Sequence, residues 1–291
     1  MGPRILFVTG KGGTGKSSIA AALAREAAAR GRRVLLVRMP PAARAGESDA
    51  GHDGKRARGG RSVAGATLRE KTLDDERDLE AFLTRILGFG FLARRLCDSR
   101  TFSAVAAAAP GLRDLVALTA ITTEAGRRRG LVVVDAPATG HSLPMLTAPA
   151  RGLELAPLGP VANEARRALA VLADRRAFAA VLVTAPEELA ITEVLALHEQ
   201  VVGAGAAAAH VVVNGMWPAY VSAADGERIA ASGVSADAAR HWQRHQRHAR
   251  LVDELEARVG PCARIGFSFG DEGLPRGDVG RLLDTLTEAA A

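Results

Sequence analysis

One short stretch near the start constrains the fold most. Residues 4–9 form an apolar run that reads as a buried strand, and the glycine-rich segment 10–17 follows it. Residues 17–30 then carry alanine and leucine at helical spacing until Gly31 stops the pattern, and residues 33–37 are a second apolar run. Strand, loop, helix and strand in that order make a βαβ unit, which requires a right-handed crossover and parallel pairing. A parallel sheet must be covered on both faces. Further continuous apolar runs at 131–134, 180–183, 210–213 and 264–267 alternate with helical stretches at 166–174, 187–202, 235–259 and 278–289. The expected architecture is α/β, with a doubly wound, mostly parallel sheet.

The glycine-rich segment carries chemistry as well as shape. Gly10-Lys11-Gly12-Gly13-Thr14-Gly15-Lys16-Ser17 fits the pattern G-x-x-x-x-G-K-[ST], with a strand before it and a helix after it. Glycines let the backbone curl so that successive N–H groups face phosphate oxygens, and the helix N-terminus adds its positive dipole end. Lys16 can bridge the β- and γ-phosphates, and the Ser17 hydroxyl can sit on Mg²⁺. Ser18 extends the nucleotide-binding set. A bare glycine turn does not account for two lysines in one loop. Asp135 closes the apolar run 131–134, where a carboxylate can hold a water on the metal, although a lone strand-end Asp also serves as a cap.

Lys11 makes the loop similar to the deviant Walker A pattern, K-G-G-x-G-K-[ST], found in ArsA-type ATPases, tail-anchored-protein targeting ATPases, and the MinD and ParA partitioning ATPases. Four more stretches narrow the resemblance. Asp135-Ala136-Pro137-Ala138-Thr139-Gly140-His141 resembles the switch II segment of ArsA-type ATPases. Ala109-Pro110-Gly111-Leu112-Arg113-Asp114-Leu115, the run from Val183-Thr184 through Pro186-Glu187 to Glu193, and Val211-Val212-Val213-Asn214 resemble three further segments of that family, in its order.

The resemblance implies a P-loop NTPase with a helical insertion between the switch I and switch II regions, ATP and Mg²⁺ as cofactors, and a nucleotide-switched dimer. It implies that Lys11 reaches phosphate across the dimer, that Thr139 and Gly140 sense the γ-phosphate, and that Asn214 reads the adenine edge. Lys11 as a plain solvated lysine and Asn214 as a turn residue are the simpler alternatives.

The chain also departs from the family. The strand at 34–37 leads into Arg38-Met39-Pro40-Pro41-Ala42, where the family carries D-P-A-H-S, so the water-positioning aspartate is missing near Pro40. Glu47 or Asp49 could replace it only if the loop folds back. Slow or partner-dependent hydrolysis is expected, because such a group is worth a few orders of magnitude in rate. The family's C-x-x-C clasp and its arsenite-binding cysteines have no counterpart, which argues against an arsenite role.

We expect one domain over 1–291, with a flexible loop at 42–66 and a helical elaboration at 74–125. There, Leu79, Phe82, Leu83, Ile86 and Leu87 form an apolar stripe that Phe89, Phe91, Leu92 and Leu96 continue; core packing is the favoured reading and client contact the other. His241, His245 and His248 share one helix face that could suit a metal, with a polar surface face favoured.

Two distant cysteines fit a reducing cytoplasm, and no apolar run spans a bilayer. The net charge of +6 comes from scattered arginines with 4% aromatics, so nucleic acid is not expected as a partner. The favoured function is a slowly hydrolysing ArsA-like ATPase, working as a homodimer or as a heterodimer with a paralogue. The alternatives are a non-hydrolysing regulatory subunit and a MinD- or ParA-like positioning ATPase. Client and pathway are left open.

Overall fold

The computed structural model describes residues 2–39, 67–99, 111–127, 130–233, 235–268 and 273–288. Among these, seven strands run in chain order: β1 (Ile5–Gly10), β2 (Val34–Arg38), β3 (Leu68–Thr72), β4 (Leu131–Asp135), β5 (Phe178–Thr184), β6 (Ala209–Met216) and β7 (Ala263–Gly266). They form one sheet in the order β3-β2-β4-β1-β5-β6-β7, and every neighbouring pair is parallel. β1 and β5 are buried along their whole length, as central strands of a sheet covered on both faces must be. Phe7 and Phe178 meet there with ring centroids 5.9 Å apart. Truncating either to Ala would cost about 3–5 kcal/mol.

Two helical layers supply the cover. On one face lie α1 (Lys16–Ala29) and α10 (Arg276–Glu288). α1 buries Ile19, Ala20, Leu23, Ala24 and Ala27, one apolar stripe that faces the sheet. On the other face lie α4 (Leu112–Arg127), α5 (Thr139–Leu155), α6 (Pro160–Leu172), α7 (Glu188–Gly203) and α9 (Ala236–Val259). The Ser235 side chain caps α9 by accepting from the Ala238 N–H. α2 (Asp75–Leu87) packs outside α4 and α6 through Phe82, and α3 (Gly90–Cys97) follows it. α8 (Ala223–Ser232) completes the described helices.

The chain leaves β1 through α1 on one face and leaves β4 through α5 on the other. The carboxyl ends of β1 and β4 therefore flank a crevice at the point where the connections diverge, the general ligand position of open α/β sheets.

Several elements differ from the sequence expectation. β3 went unrecognised because it is a polar edge strand, LREKT, held by backbone pairing to β2 on one side. α5 was hidden by Pro144 and Pro149, which lie inside it. α8 was also missed.

The apolar stripe divides. Phe82 and Leu83 are buried and Leu79, Ile86 and Leu96 half-buried, but Leu87 and Leu92 are exposed and Phe89 and Phe91 are 62% and 74% exposed, so core packing fails for those four. Gly88 explains the break: it caps α2 in the left-handed region (φ 77°) and turns α3 away from the helical register. The 42–66 loop with Glu47 and Asp49, Pro40, and the Ala109-Pro110 pair lie outside the described residues.

Candidate functional site

The segment after β1 turns back on itself at the crevice. Gly10 has φ 146°, and a Cβ there would sit 2.0 Å from the Val183 carbonyl oxygen, so no side chain fits against β5. Gly15 is the N-cap of α1 with φ 89°. A Cβ at Gly15 would meet Asn214 Nδ2 at 2.3 Å. Between them the Thr14 hydroxyl shares its proton between the Lys11 carbonyl (2.9 Å) and the Val183 carbonyl (3.1 Å), pinning the loop to β5. Among the described residues, the backbone N–H groups of Gly12, Gly13, Gly15, Lys16 and Ser17 have no protein acceptor. Unpaired amides at the start of a helix are an anion site with its donors in place.

Two lysines close the loop. Lys16 Nζ donates to the Lys11 carbonyl at 2.9 Å. Its pKa is lowered by burial, and the nearby Asp135 partly offsets that. A half-desolvated ammonium beside unpaired amides favours an incoming polyanion. Lys11 Nζ instead donates to Glu193 Oε1 on α7 at 2.8 Å.

Asp135 ends β4 in register with Val8 on β1 and with Arg38 on β2. The Ser17 hydroxyl donates to Asp135 Oδ1 at 3.0 Å. The hydroxyl of one element and the carboxylate of another thus converge at the N-terminus of α1. An all-oxygen pair of this kind fits Mg²⁺, which keeps several waters and takes few protein ligands beside phosphate. Among the described residues no cluster of three or more His, Cys, Asp or Glu forms a closed metal cage.

The segment after β4 is tied to β1 at its base. The Ala136 N–H donates to the Val8 carbonyl at 3.0 Å, and the buried Thr9 hydroxyl shares its proton between Pro137 O (3.1 Å) and Ser142 Oγ (2.7 Å). Thr139 and Gly140 form the first turn of α5, which has no side-chain cap.

Asn214 lies in β6 beside a bulge. Its Nδ2 donates to the Thr14 carbonyl at 2.9 Å, which fixes the amide orientation. That leaves Oδ1 buried and without a donor among the described residues. A buried acceptor left unmet costs about 1–3 kcal/mol, so such an atom marks a place where a ligand donor belongs.

The structure thus brings the Gly10 to Ser17 loop, Asp135 and Asn214 together at the carboxyl ends of the strands and ties the Thr139–Gly140 turn to the end of β1, whereas Ser18 lines the cavity between α1 and α10 with Ala22, Arg25 and Val279. Glu193, Arg38 and Thr9 carry no local signal of a role, because their partners lie 182, 97 and 128 residues away. The three histidines of α9 are neither a metal cluster nor a free polar face. Trp217 Nε1–H donates to His241 Nδ1 (2.6 Å), the Trp217 backbone N–H donates to His248 Nδ1 (3.2 Å), and the Trp217 and Pro218 carbonyls lie 2.9 Å from His245 Nδ1 and His241 Nε2. They clamp the chain that leaves β6, three residues after Asn214. Among the described residues no helix is long and apolar enough to cross a membrane.

Comparison with known proteins follows the same lines. ATPase BagA of Mycobacterium tuberculosis is 32% identical over 259 residues, which cover 82% of this chain and 73% of that protein. The arsenical pump-driving ATPase of Escherichia coli is 29% identical over 262 residues, covering 84% of this chain and 43% of the pump protein. That of Acidiphilium multivorum is 30% identical with the same coverage. The chain therefore spans less than half the length of these pump-driving ATPases. The family model described as anion-transporting ATPase matches residues 3–156, from the strand before the glycine-rich 10–17 loop to the end of α5, and the chain belongs to this ArsA-type ATPase family.

Proposed function

We propose that this protein binds ATP with Mg²⁺ at the 10–18 loop, hydrolyses it slowly, and works as a nucleotide-switched dimer in the cytoplasm. The observation that carries the reading is the convergence of Ser17 and Asp135 at 3.0 Å beside Lys16 and a row of unpaired amides. Bound Mg²⁺ would supply charge neutralisation between phosphates. Ser17 would ligate it and Asp135 would orient a coordinated water. Lys16 would lie along the phosphates, with the amides of Gly12 to Ser17 around them. Thr139 and Gly140 would read the terminal phosphate. Asn214 Oδ1 would accept from an amino group on the base; adenine offers one at its edge, whereas guanine offers a carbonyl there.

Slow turnover follows from the end of β2, where Arg38-Met39 stands before the place of the family's water-positioning aspartate. The same feature supports a second reading, a non-hydrolysing regulatory subunit that pairs with a paralogue. A MinD- or ParA-like membrane role through α10 has less support, because that helix buries Val279, Leu282, Leu283 and Leu286 in the core.

Calorimetry with Mg·ATP and steady-state phosphate release, each against Lys16→Ala, test the proposal. Binding lost in the variant supports it, and turnover above the variant's level assigns an ATPase. No heat with ATP or a slowly cleaved analogue overturns it, and binding without turnover above the variant leaves the regulatory reading.

A further inference from the structure

Arg38 is the last residue of β2 and begins the departure from the family pattern. In the fold it stands in register with Asp135 on the neighbouring parallel strand, so both side chains leave the sheet on the same face at its carboxyl edge. Arg38 Nη1 lies 3.4 Å from Asp135 Oδ2, and its Nε lies 3.5 Å from Glu70 Oε2 on β3. The Asp135 carboxylate is therefore divided. Oδ1 accepts from Ser17 and Oδ2 faces a guanidinium. Asp135 is largely buried, with its side chain 11% exposed, while Arg38 is 39% exposed.

We propose that Arg38 is a built-in counter-cation of the metal corner, holding the nucleotide's phosphates when Mg²⁺ is scarce and weakening the site's hold on the divalent ion. This rests on the reading that the loop binds Mg·ATP. An aspartate that is to hold a metal-bound water attracts the ion by its charge and by its free lone pairs. A guanidinium on Oδ2 offsets the first and occupies part of the second. It also adds positive charge at the same edge as Lys16, and guanidinium stays charged at any working pH. Lys16 and Arg38 thus flank the Asp135 carboxylate from two sides, and a nucleotide that arrives without metal would meet both cations at this edge. Glu70 holds the other side of the guanidinium and keeps it at the sheet edge.

The test uses the full chain and ATP itself, by calorimetry in EDTA and in saturating Mg²⁺, together with a Mg²⁺ titration of the ATP-loaded protein. Arg38→Ala should lower metal-free ATP affinity about three- to tenfold, the range for a half-exposed charge-assisted contact, and raise Mg²⁺ affinity by a similar factor. Arg38→Gln, which keeps a donor and removes the charge, should do the same, and Arg38→Lys should restore much of the metal-free binding. Unchanged affinities in both buffers overturn the proposal. So does an equal loss in both buffers with a lower melting temperature, which would mean a structural role only. Absence of ATP binding by the unaltered protein would instead remove the reading on which this one rests.

Discussion

Lys11 Nζ is held 2.8 Å from Glu193 Oε1, a contact that joins the 10–17 loop to α7 across 182 residues of chain. The loop's first lysine therefore has a partner within its own subunit. For Lys11 to reach a phosphate on a second subunit, as the proposed dimer requires, this pair must open. Both side chains are about one-third exposed, so opening is cheap, roughly 0.2–1 kcal/mol.

Glu193→Gln should accordingly promote ATP-dependent dimerisation by up to about fivefold, the factor that the upper end of that cost corresponds to. Lys11→Ala should abolish it while the fold persists. Sedimentation with and without Mg·ATP reads both. Identical dimer constants for Glu193→Gln and the unaltered protein would show that Glu193 does not restrain Lys11.

Base selection should depend on Asn214. Its orphaned Oδ1 is suited to an amino donor, so Asn214→Leu removes a favourable contact with ATP and a mismatch with GTP. ATP affinity should fall about two- to tenfold, the value of a neutral hydrogen bond of about 0.5–1.5 kcal/mol, and the preference over GTP should shrink. Calorimetric titration with both nucleotides decides it. Unaltered selectivity would place the base elsewhere.

Gly15→Ala should damage binding more than its size suggests. The backbone there has φ 89°, and the added Cβ would meet Asn214 Nδ2 at 2.3 Å. The left-handed conformation alone costs roughly 1–2 kcal/mol with a Cβ. Asn214 would also have to leave the Thr14 carbonyl. Thermal unfolding should show a modest loss and ATP binding a large one; a variant that binds ATP normally would contradict this packing.

Acid should destabilise the fold through three histidines. His198, His210 and His248 all lie below the ordinary value of 6.5, first because burial disfavours the imidazolium. Arg175 adds to this at His210, and Arg244, His245 and Arg247 add to it at His248, while Glu199 and Glu187 oppose it at His198 and His248 respectively. A base depressed in the folded state takes its proton more readily in the unfolded chain. Stability is therefore complete above 6.5 and declines as the pH falls from there toward the lower folded values. The melting temperature should fall as the pH drops below about 6.5. His248→Asn, which can still accept from the Trp217 N–H without titrating, should flatten part of that slope. A variant slope equal to the original would exclude His248 as a contributor.

The place and shape of the 10–17 loop could be read from the chain alone because its geometry is local. A buried strand, four glycines in the turn, and a helix start are all consecutive, so their order carries the geometry with it. The same holds for Asp135, which simply ends its strand, and for the parallel sheet implied by uninterrupted apolar runs. β3 resisted such reading because an edge strand is held by backbone pairing and needs no apolar pattern. Phe89 and Phe91 resisted it because helical periodicity cannot tell which side of Gly88 faces the core. Three contacts belong wholly to the tertiary structure: Arg38 beside Asp135, Lys11 on Glu193, and the three α9 histidines around Trp217. Each depends on strand register or helix packing between segments far apart in the chain, and the composition of those segments leaves both undetermined.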